Sequence, residues 1–266
     1  MPIHTIKNGK MEYLVADGIA APHAFTTRLG GVSSGYLSAL NIALHRGDEP
    51  ENVVKNYKIL GEALKFDPEK LVLAHQTHTD IVRVVTEADC LGLDHRLYPE
   101  CDGLITNTPG VTLVVFTADC TPILLHDPVT GAVGAVHAGW RGTALDIAGK
   151  AVERMTAAFG CLPQNIRAAI GPNIGPCCFE TDADVPRAMR ETFGSGVEES
   201  IRTAGEKFYV NLKAINALAL QRAGVVEIEI SEECTMCRPD KYWSHRHTRG
   251  LRGSQGALIV CKGGRV

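Results

Sequence analysis

Cys120 and His137 are a pair of side chains that could do chemistry together, because two apolar runs bring them toward one another across a turn. The turn is Asp127-Pro128-Val129-Thr130, with proline at its second position. If Asp127 faces Thr130, the register of the hairpin places Cys120 directly opposite His137, with Cβ atoms about 4.5–5.5 Å apart. Pro122 inside the first strand marks a bulge or an edge where that register could slip. A slip of one residue would send the pair to opposite faces. A cysteine facing a histidine fits three readings: a buried thiol beside a hydrogen-bonded imidazole, a nucleophilic thiolate with a general base, or two ligands of a metal. A metal needs at least one further ligand, and His75 or His78 is the obvious source. In a regular strand those two face opposite ways, so at most one joins, and spacing does not choose between them.

Cationic groups supply the other candidates. Gly139-Trp140-Arg141-Gly142-Thr143 passes from strand to helix, where free N–H groups and Arg141 could hold an anion such as phosphate. Thr26-Thr27-Arg28-Leu29-Gly30-Gly31 is a second glycine turn carrying an arginine, and Tyr242-Trp243-Ser244-His245-Arg246-His247 gathers aromatic and cationic groups that could stack on a base or clasp an anion. Cys234-Thr235-Met236-Cys237 has zinc-knuckle spacing, but no second such pair completes four ligands, and Cys177-Cys178 are adjacent. The reading for these four is core or near-surface thiols.

The elements that must position these groups follow from periodicity. A helix runs from near Asp48 to about Lys65, with Pro50 in its first turn, Glu51 placed as in a capping box, and Val54, Tyr57, Leu60 and Leu64 at helical spacing. Leu71 to Val85 reads as one strand-like run, Val111 to Asp127 as a second, and the run through Val136 as a third. Leu145, Ala148, Val152, Met155 and Phe159 form a helical stripe that Gly160 ends. Further helices span about Asp182 to Phe193 and the Leu212–Leu218 stripe up to Gly224, and strands fall at 226–230 and 257–261. Interleaved strands and helices without a linker predict a single α/β-type domain over residues 1–266.

The chain has 266 residues, 45% hydrophobic and 21% charged, so it can bury a substantial core and does not resemble a disordered segment. With 27 basic against 30 acidic side chains there is no positive excess to hold nucleic acid or an anionic membrane. No stretch approaches the roughly 18 apolar residues of a membrane span, and the N-terminus does not read as a signal peptide. Nine scattered cysteines, an odd number in a chain this long, predict a reduced, cytoplasmic protein.

The sequence resembles the laccase-domain family (polyphenol-oxidase-type, YfiH/YlmD-like), now viewed as purine nucleoside phosphorylases. The resemblance is carried by Phe25-Thr26-Thr27-Arg28-Leu29-Gly30-Gly31, Gly47-Asp48, Gln76-Thr77-His78, Ala118-Asp119-Cys120-Thr121-Pro122, His137-Ala138-Gly139-Trp140-Arg141-Gly142, Ile170-Gly171-Pro172-Asn173-Ile174-Gly175-Pro176-Cys177-Cys178 and Ser244-His245-Arg246, in order along nearly the whole chain. It implies an α+β layered sandwich of mixed sheets flanked by helices, largely monomeric. It implies metal ligands at His78, Cys120 and His137, thereby choosing His78 over His75, with zinc as the metal and copper as an alternative occupant. It also implies phosphorolysis of adenosine, inosine, guanosine and methylthioadenosine, with adenosine deamination, and those three residues as the catalytic group. Arg28 and Arg141 are the candidates for phosphate and Arg246 for substrate. Where the family commonly has Val-His-Gly after the glutamine, this chain has Thr-His-Thr, which leaves the ligand in place and alters the pocket around it. A multicopper laccase would need several His-x-His pairs, and only His245-Arg246-His247 is one; phenol oxidation is at most a side activity. Two other classes stay open: a metal-free Cys120–His137 hydrolase or deamidase, a fold kinship with a bacterial toxin deamidase being noted, and a non-catalytic zinc scaffold.

Overall fold

The computed structural model of the chain describes residues 3–264. Six strands form a first sheet in the spatial order β1 (Ile3–Asn8), β2 (Met11–Ala16), β3 (His23–Thr26), β15 (Gln255–Val260), β7 (Thr112–Thr117) and β4 (Leu71–Leu73). A second sheet has the order β14 (Glu227–Ile230), β10 (Arg167–Ile170), β8 (Thr121–His126), β9 (Val133–Ala138), β6 (Gly103–Thr106) and β5 (Val82–Val84). A small third sheet joins β11 (Glu180–Thr181), β13 (Lys207–Val210) and β12 (Ile201–Ala204). Both large sheets are mixed: β4–β7, β5–β6 and β10–β14 pair in parallel and the rest antiparallel.

The apolar runs of β8 and β9 are continuous rather than alternating because both faces of their sheet are covered. Leu124, Val133 and Ala135 enter a core shared with the first sheet, while Ile123, Leu125 and Val136 enter a second core on the opposite face. Helix α1 (Pro50–Leu64) adds Val53, Tyr57, Leu60 and Leu64 to the first core. The second core is closed by α3 (Ile147–Phe159), α4 (Asp184–Phe193) and α5 (Leu212–Arg222), through residues such as Val152, Met155, Met189 and Ile215. This is the expected α/β sandwich of mixed sheets flanked by helices. Among the described residues, no helix is long and apolar enough to cross a membrane.

Three local expectations need correction. The capping box at Glu51 does not form: the Asp48 carboxylate instead accepts from Ser33 Oγ at 2.6 Å and Asn41 Nδ2 at 2.9 Å, and so is tied to the loop before the helix. The stripe beginning at Leu145 is two helices, α2 (Trp140–Ala144) and α3, parted where Asp146 takes φ +57 and caps Gly149 N–H. Neither long run is one strand: residues 74–81 cross as an irregular loop between β4 and β5, and 111–127 divides at residues 118–120 into β7 of the first sheet and β8 of the second.

Buried His23 is neutral by construction, since its Nδ1–H donates to Ala21 O at 2.7 Å while Nε2 accepts from Ala16 N–H at 2.8 Å. Burial lowers its pKa from 6.5. The unfolded chain therefore takes up this proton first, and stability present above about pH 6.5 is lost as the pH falls toward the folded pKa. Urea midpoints measured from pH 7 to pH 5 are expected to fall, and His23→Gln should flatten that slope.

Candidate active site

The β8–β9 hairpin does not have the register that a two-residue turn would give. Asp127 N–H donates to Ala132 O, Gly131 N–H donates to Asp127 O, and Pro122 lies opposite His137. The loop is longer because Asp127 Oδ1 accepts from Val129 N–H at 2.8 Å and Gly131 closes it at φ +74. The shift is two residues, which preserves parity. Cys120, just before β8, therefore lies across from Gly139, on the same face as His137 but one step along the ladder.

His78 comes from the 74–81 loop, again not as a strand residue. It takes φ +64, and the N–H groups of Thr77, His78 and Thr79 all donate to the carboxylate of Asp102, at 3.2, 3.2 and 2.7 Å. Thr79 Oγ1 adds a fourth bond at 2.9 Å. Asp102 is fully buried, and its Oδ1 also accepts from Nδ1–H of buried His137 at 2.7 Å. One carboxylate thus fixes the loop carrying the first histidine and the ring of the second, turning Nε2 of His137 toward Cys120. His75 lies elsewhere, donating Nδ1–H to Tyr98 O.

Cys120 is presented by a strained elbow. Asp119 takes φ +92, a left-handed conformation that a non-glycine residue holds only when its surroundings enforce it. They do so here: its Oδ1 accepts from Thr235 Oγ1 at 2.6 Å, its Oδ2 from Arg246 N–H at 2.7 Å, and its backbone O from Ile174 N–H at 2.9 Å. Ligand atoms of His78, Cys120 and His137 all fall within 4.8 Å of one another. Gly139 is required beneath them, because a Cβ there would lie 2.6 Å from His78 Nδ1 and 3.3 Å from Cys120 Sγ.

Electrostatics follow from this packing. Burial would lower the pKa of His137, but the Cys120 sulfur and the Asp102 carboxylate beside it raise it to about 9. Burial and the neighbouring His137 charge lower the pKa of His78. Burial would raise the pKa of Asp102, yet its bonds to His137 and Thr79 hold it below the ordinary carboxylate value. Two imidazoles and a thiol, with one imidazole oriented by a buried carboxylate, are a donor set that suits a soft divalent metal such as zinc.

His78 and Cys120 line both lobes of a cleft, and His137 lines the smaller one. The smaller, about 130 Å³, is polar and lined by Arg46, Gln76, His95, Arg252 and Ser254 among others. The larger, about 310 Å³, is more apolar, with Trp140, Ile174, Phe179 and Leu212 beside His245 and Arg246. Arg252 lines both; it donates to Gly253 O at 3.0 Å and Ser254 Oγ at 2.7 Å, and among the described residues it has no carboxylate partner. Burial and the charge of Arg46 lower its pKa to about 10.

The predicted arginines divide. Arg246 lines the larger lobe while its guanidinium donates to Glu180 O. Arg141 is exposed and stacks on Trp140, 4.2 Å from the ring centroid, outside the lining of either lobe. Arg28 lies away from the cleft: it lies over Trp243 at 3.8 Å and spends three of its five N–H groups on Ser38 O and Pro239 O, so it clamps two loops. Arg46 and Arg252 stand where an anion would be expected instead. Neither they nor Asp102 carry a spacing signal, although Arg46 lies beside the Gly47-Asp48 motif.

This fold and site define a known class. Residues 22–262 match the family described as multi-copper polyphenol oxidoreductase laccase, and the chain belongs to that family, whose YfiH/YlmD members are of the purine nucleoside phosphorylase type. Among its relatives, the purine nucleoside phosphorylase YlmD of Geobacillus stearothermophilus is 39% identical over 241 residues, 88% of each chain. The purine nucleoside phosphorylase YlmD of Bacillus subtilis is 36% identical over 244 residues, covering 90% of this chain and 87% of its own. The crystal structure of the Geobacillus YlmD superposes with a TM-score of 0.92 at 37% identity, covering 98% of this chain and all of that one.

Proposed function

We propose that this chain is a zinc-dependent purine nucleoside phosphorylase, with zinc held by His78, Cys120 and His137. Adenosine, inosine, guanosine and methylthioadenosine are its substrates together with phosphate, and adenosine is also deaminated. The observation that carries the reading is the meeting of two unlike lobes at His78 and Cys120, members of one His/Cys trio. In phosphorolysis a phosphate oxygen bonds to C1′ of the ribose as the bond from C1′ to the purine nitrogen breaks, and the electron pair leaves with the base. Arg46 and Arg252 neutralise the phosphate, and an anion between them relieves their mutual repulsion. Trp140 and Phe179 hold the flat base, with Arg246 and His245 at its rim. Asp102 keeps Nε2 of His137 turned toward the metal. Zinc, when bound, supplies Lewis-acid stabilisation of charge developing beside it; copper is the alternative occupant and accounts for no more than slow phenol oxidation.

Purified protein given adenosine is expected to release free base only when phosphate is added, with ribose 1-phosphate equal to adenine and hypoxanthine together, and to form inosine without it. No base release from zinc-loaded protein would refute the proposal. A second reading is favoured by one observation: Cys120, His137 and Asp102 also form the nucleophile–base–orienter chain of a metal-free hydrolase. That reading predicts chelator-resistant turnover abolished by alkylation of Cys120. Gly139→Ala separates function from folding, because its φ of −66 suits any residue while the new Cβ displaces His78. It is expected to weaken zinc at the trio at least about tenfold, a loss of about 1.4 kcal/mol that falls within the range for overpacking; equilibrium dialysis would measure it.

A further inference from the structure

The structure joins two cysteine pairs that lie far apart in the chain. Cys177 and Cys178 sit in a tight turn in which Cys178 N–H and Phe179 N–H both donate to Gly175 O at 2.9 Å. Cys234 and Cys237 flank a second turn, and the two segments are laced together by Thr235 N–H donating to Asn173 O at 3.0 Å. The four sulfurs lie within 4.8 Å of one another, with Cys177–Cys237 at 3.6 Å and Cys178–Cys237 at 3.4 Å. Four thiolates about 2.3 Å from a central ion, in tetrahedral array, have sulfurs about 3.8 Å apart. Disulfide sulfurs are about 2.05 Å apart, well inside these separations, and all four thiols are free.

Three further features match such a centre. Gly175 N–H donates to Cys234 Sγ at 3.1 Å, the amide-to-sulfur bond that steadies a thiolate ligand. Gly175 itself leaves the room, since a Cβ there would lie 3.2 Å from Cys177 Sγ and 3.2 Å from Cys234 Cβ. The buried Lys213 ammonium, beside Cys177 and Cys234 in the same cavity, donates to Ser231 O and Glu233 O. Among the described residues no carboxylate bonds this cation, and a four-thiolate zinc centre carries the net negative charge that would face it. Four sulfurs suit a thiophilic ion rather than an oxygen-preferring one, and zinc takes such a set in closed tetrahedral sites.

We propose that Cys177, Cys178, Cys234 and Cys237 bind a structural zinc ion, separate from the His78–Cys120–His137 group. The site closes on itself and has no open ligand position, so its role is to tie residues 173–179 to residues 234–237. Those segments supply Ile174 and Phe179 to the larger lobe and Thr235 to the Asp119 elbow that presents Cys120. Binding exchanges four thiol protons for one zinc ion, without redox change.

Elemental analysis of the full-length protein purified with zinc is the test. Two zinc ions per chain are expected, falling to one in Cys237→Ser and to one in Cys120→Ser. One ion per chain, unchanged by Cys237→Ser, overturns the proposal, as does an intact mass showing a disulfide among these four. If only the catalytic-site reading fails, one ion remains that Cys237→Ser removes and Cys120→Ser does not. Should Cys237→Ser fail to fold, alkylation of the wild-type chain decides. The exposed Cys177 and Cys237 are expected to resist iodoacetamide until a chelator removes the zinc, and rapid labelling of the zinc-loaded protein contradicts the site.

Discussion

Asp102→Ala is expected to destabilise the protein by about 3–5 kcal/mol, the range found when one partner of a buried charged pair is removed, and to empty the His78–Cys120–His137 group of zinc. Four bonds from the 77–79 loop and one from His137 end on this fully buried carboxylate, and alanine leaves all five donors without an acceptor. His78 then loses the φ +64 conformation that brings it to the site, and His137 loses its orientation. Asp102→Asn separates the two effects. It keeps shape and most folding stability, but an amide cannot accept all five bonds, and zinc affinity is expected to fall about 10- to 100-fold, as for other carboxylates behind a metal-bound histidine. Urea midpoints and zinc content would measure the two losses. An Asp102→Asn chain with unaltered zinc affinity would show that the histidines are held by something else.

Replacing Cys120 should act on turnover with little effect on folding, since the side chain is half-buried at the cleft and its backbone is fixed by Asp119. Cys120→Ala is expected to lower kcat by about 10²–10³-fold, the range seen when one preorganised electrostatic stabiliser is removed. Cys120→Asp distinguishes the mechanisms. A carboxylate is an acceptable zinc ligand, so zinc and part of the turnover should persist, whereas a hydrolase that needs a thiolate nucleophile would be as dead as with alanine. Steady-state phosphorolysis of inosine, read alongside zinc content, gives both numbers.

What was legible in the sequence depended on local periodicity. The continuous runs of β8 and β9 and the stripes of α1, α3 and α5 follow from burial, and those elements appear near their expected places. The pairing of Cys120 with His137 rested on a hairpin whose loop proved two residues longer. The two meet because parity survives an even shift, not because the register was right. The 74–81 loop was hidden by apolar residues on both sides. There, Gln76 imitates a strand neighbour by bonding both N–H and C=O of Phe116 through its side-chain amide, at 2.6 and 2.7 Å. Arg28 sits in a glycine turn that resembles an anion site, and only Trp243, from near the other end of the chain, shows it to be a clamp. Asp102, Arg252 and the juxtaposed cysteine pairs are matters of tertiary contact, which spacing does not encode.

The most direct measurement of the central claim is phosphate-dependent release of base from inosine before and after metal removal. The account predicts that a chelator strong enough to strip the His78–Cys120–His137 group abolishes hypoxanthine and ribose 1-phosphate formation. It predicts also that added zinc restores both, and that neither is restored in His78→Ala. Undiminished, phosphate-dependent turnover in protein shown to be free of metal would contradict it.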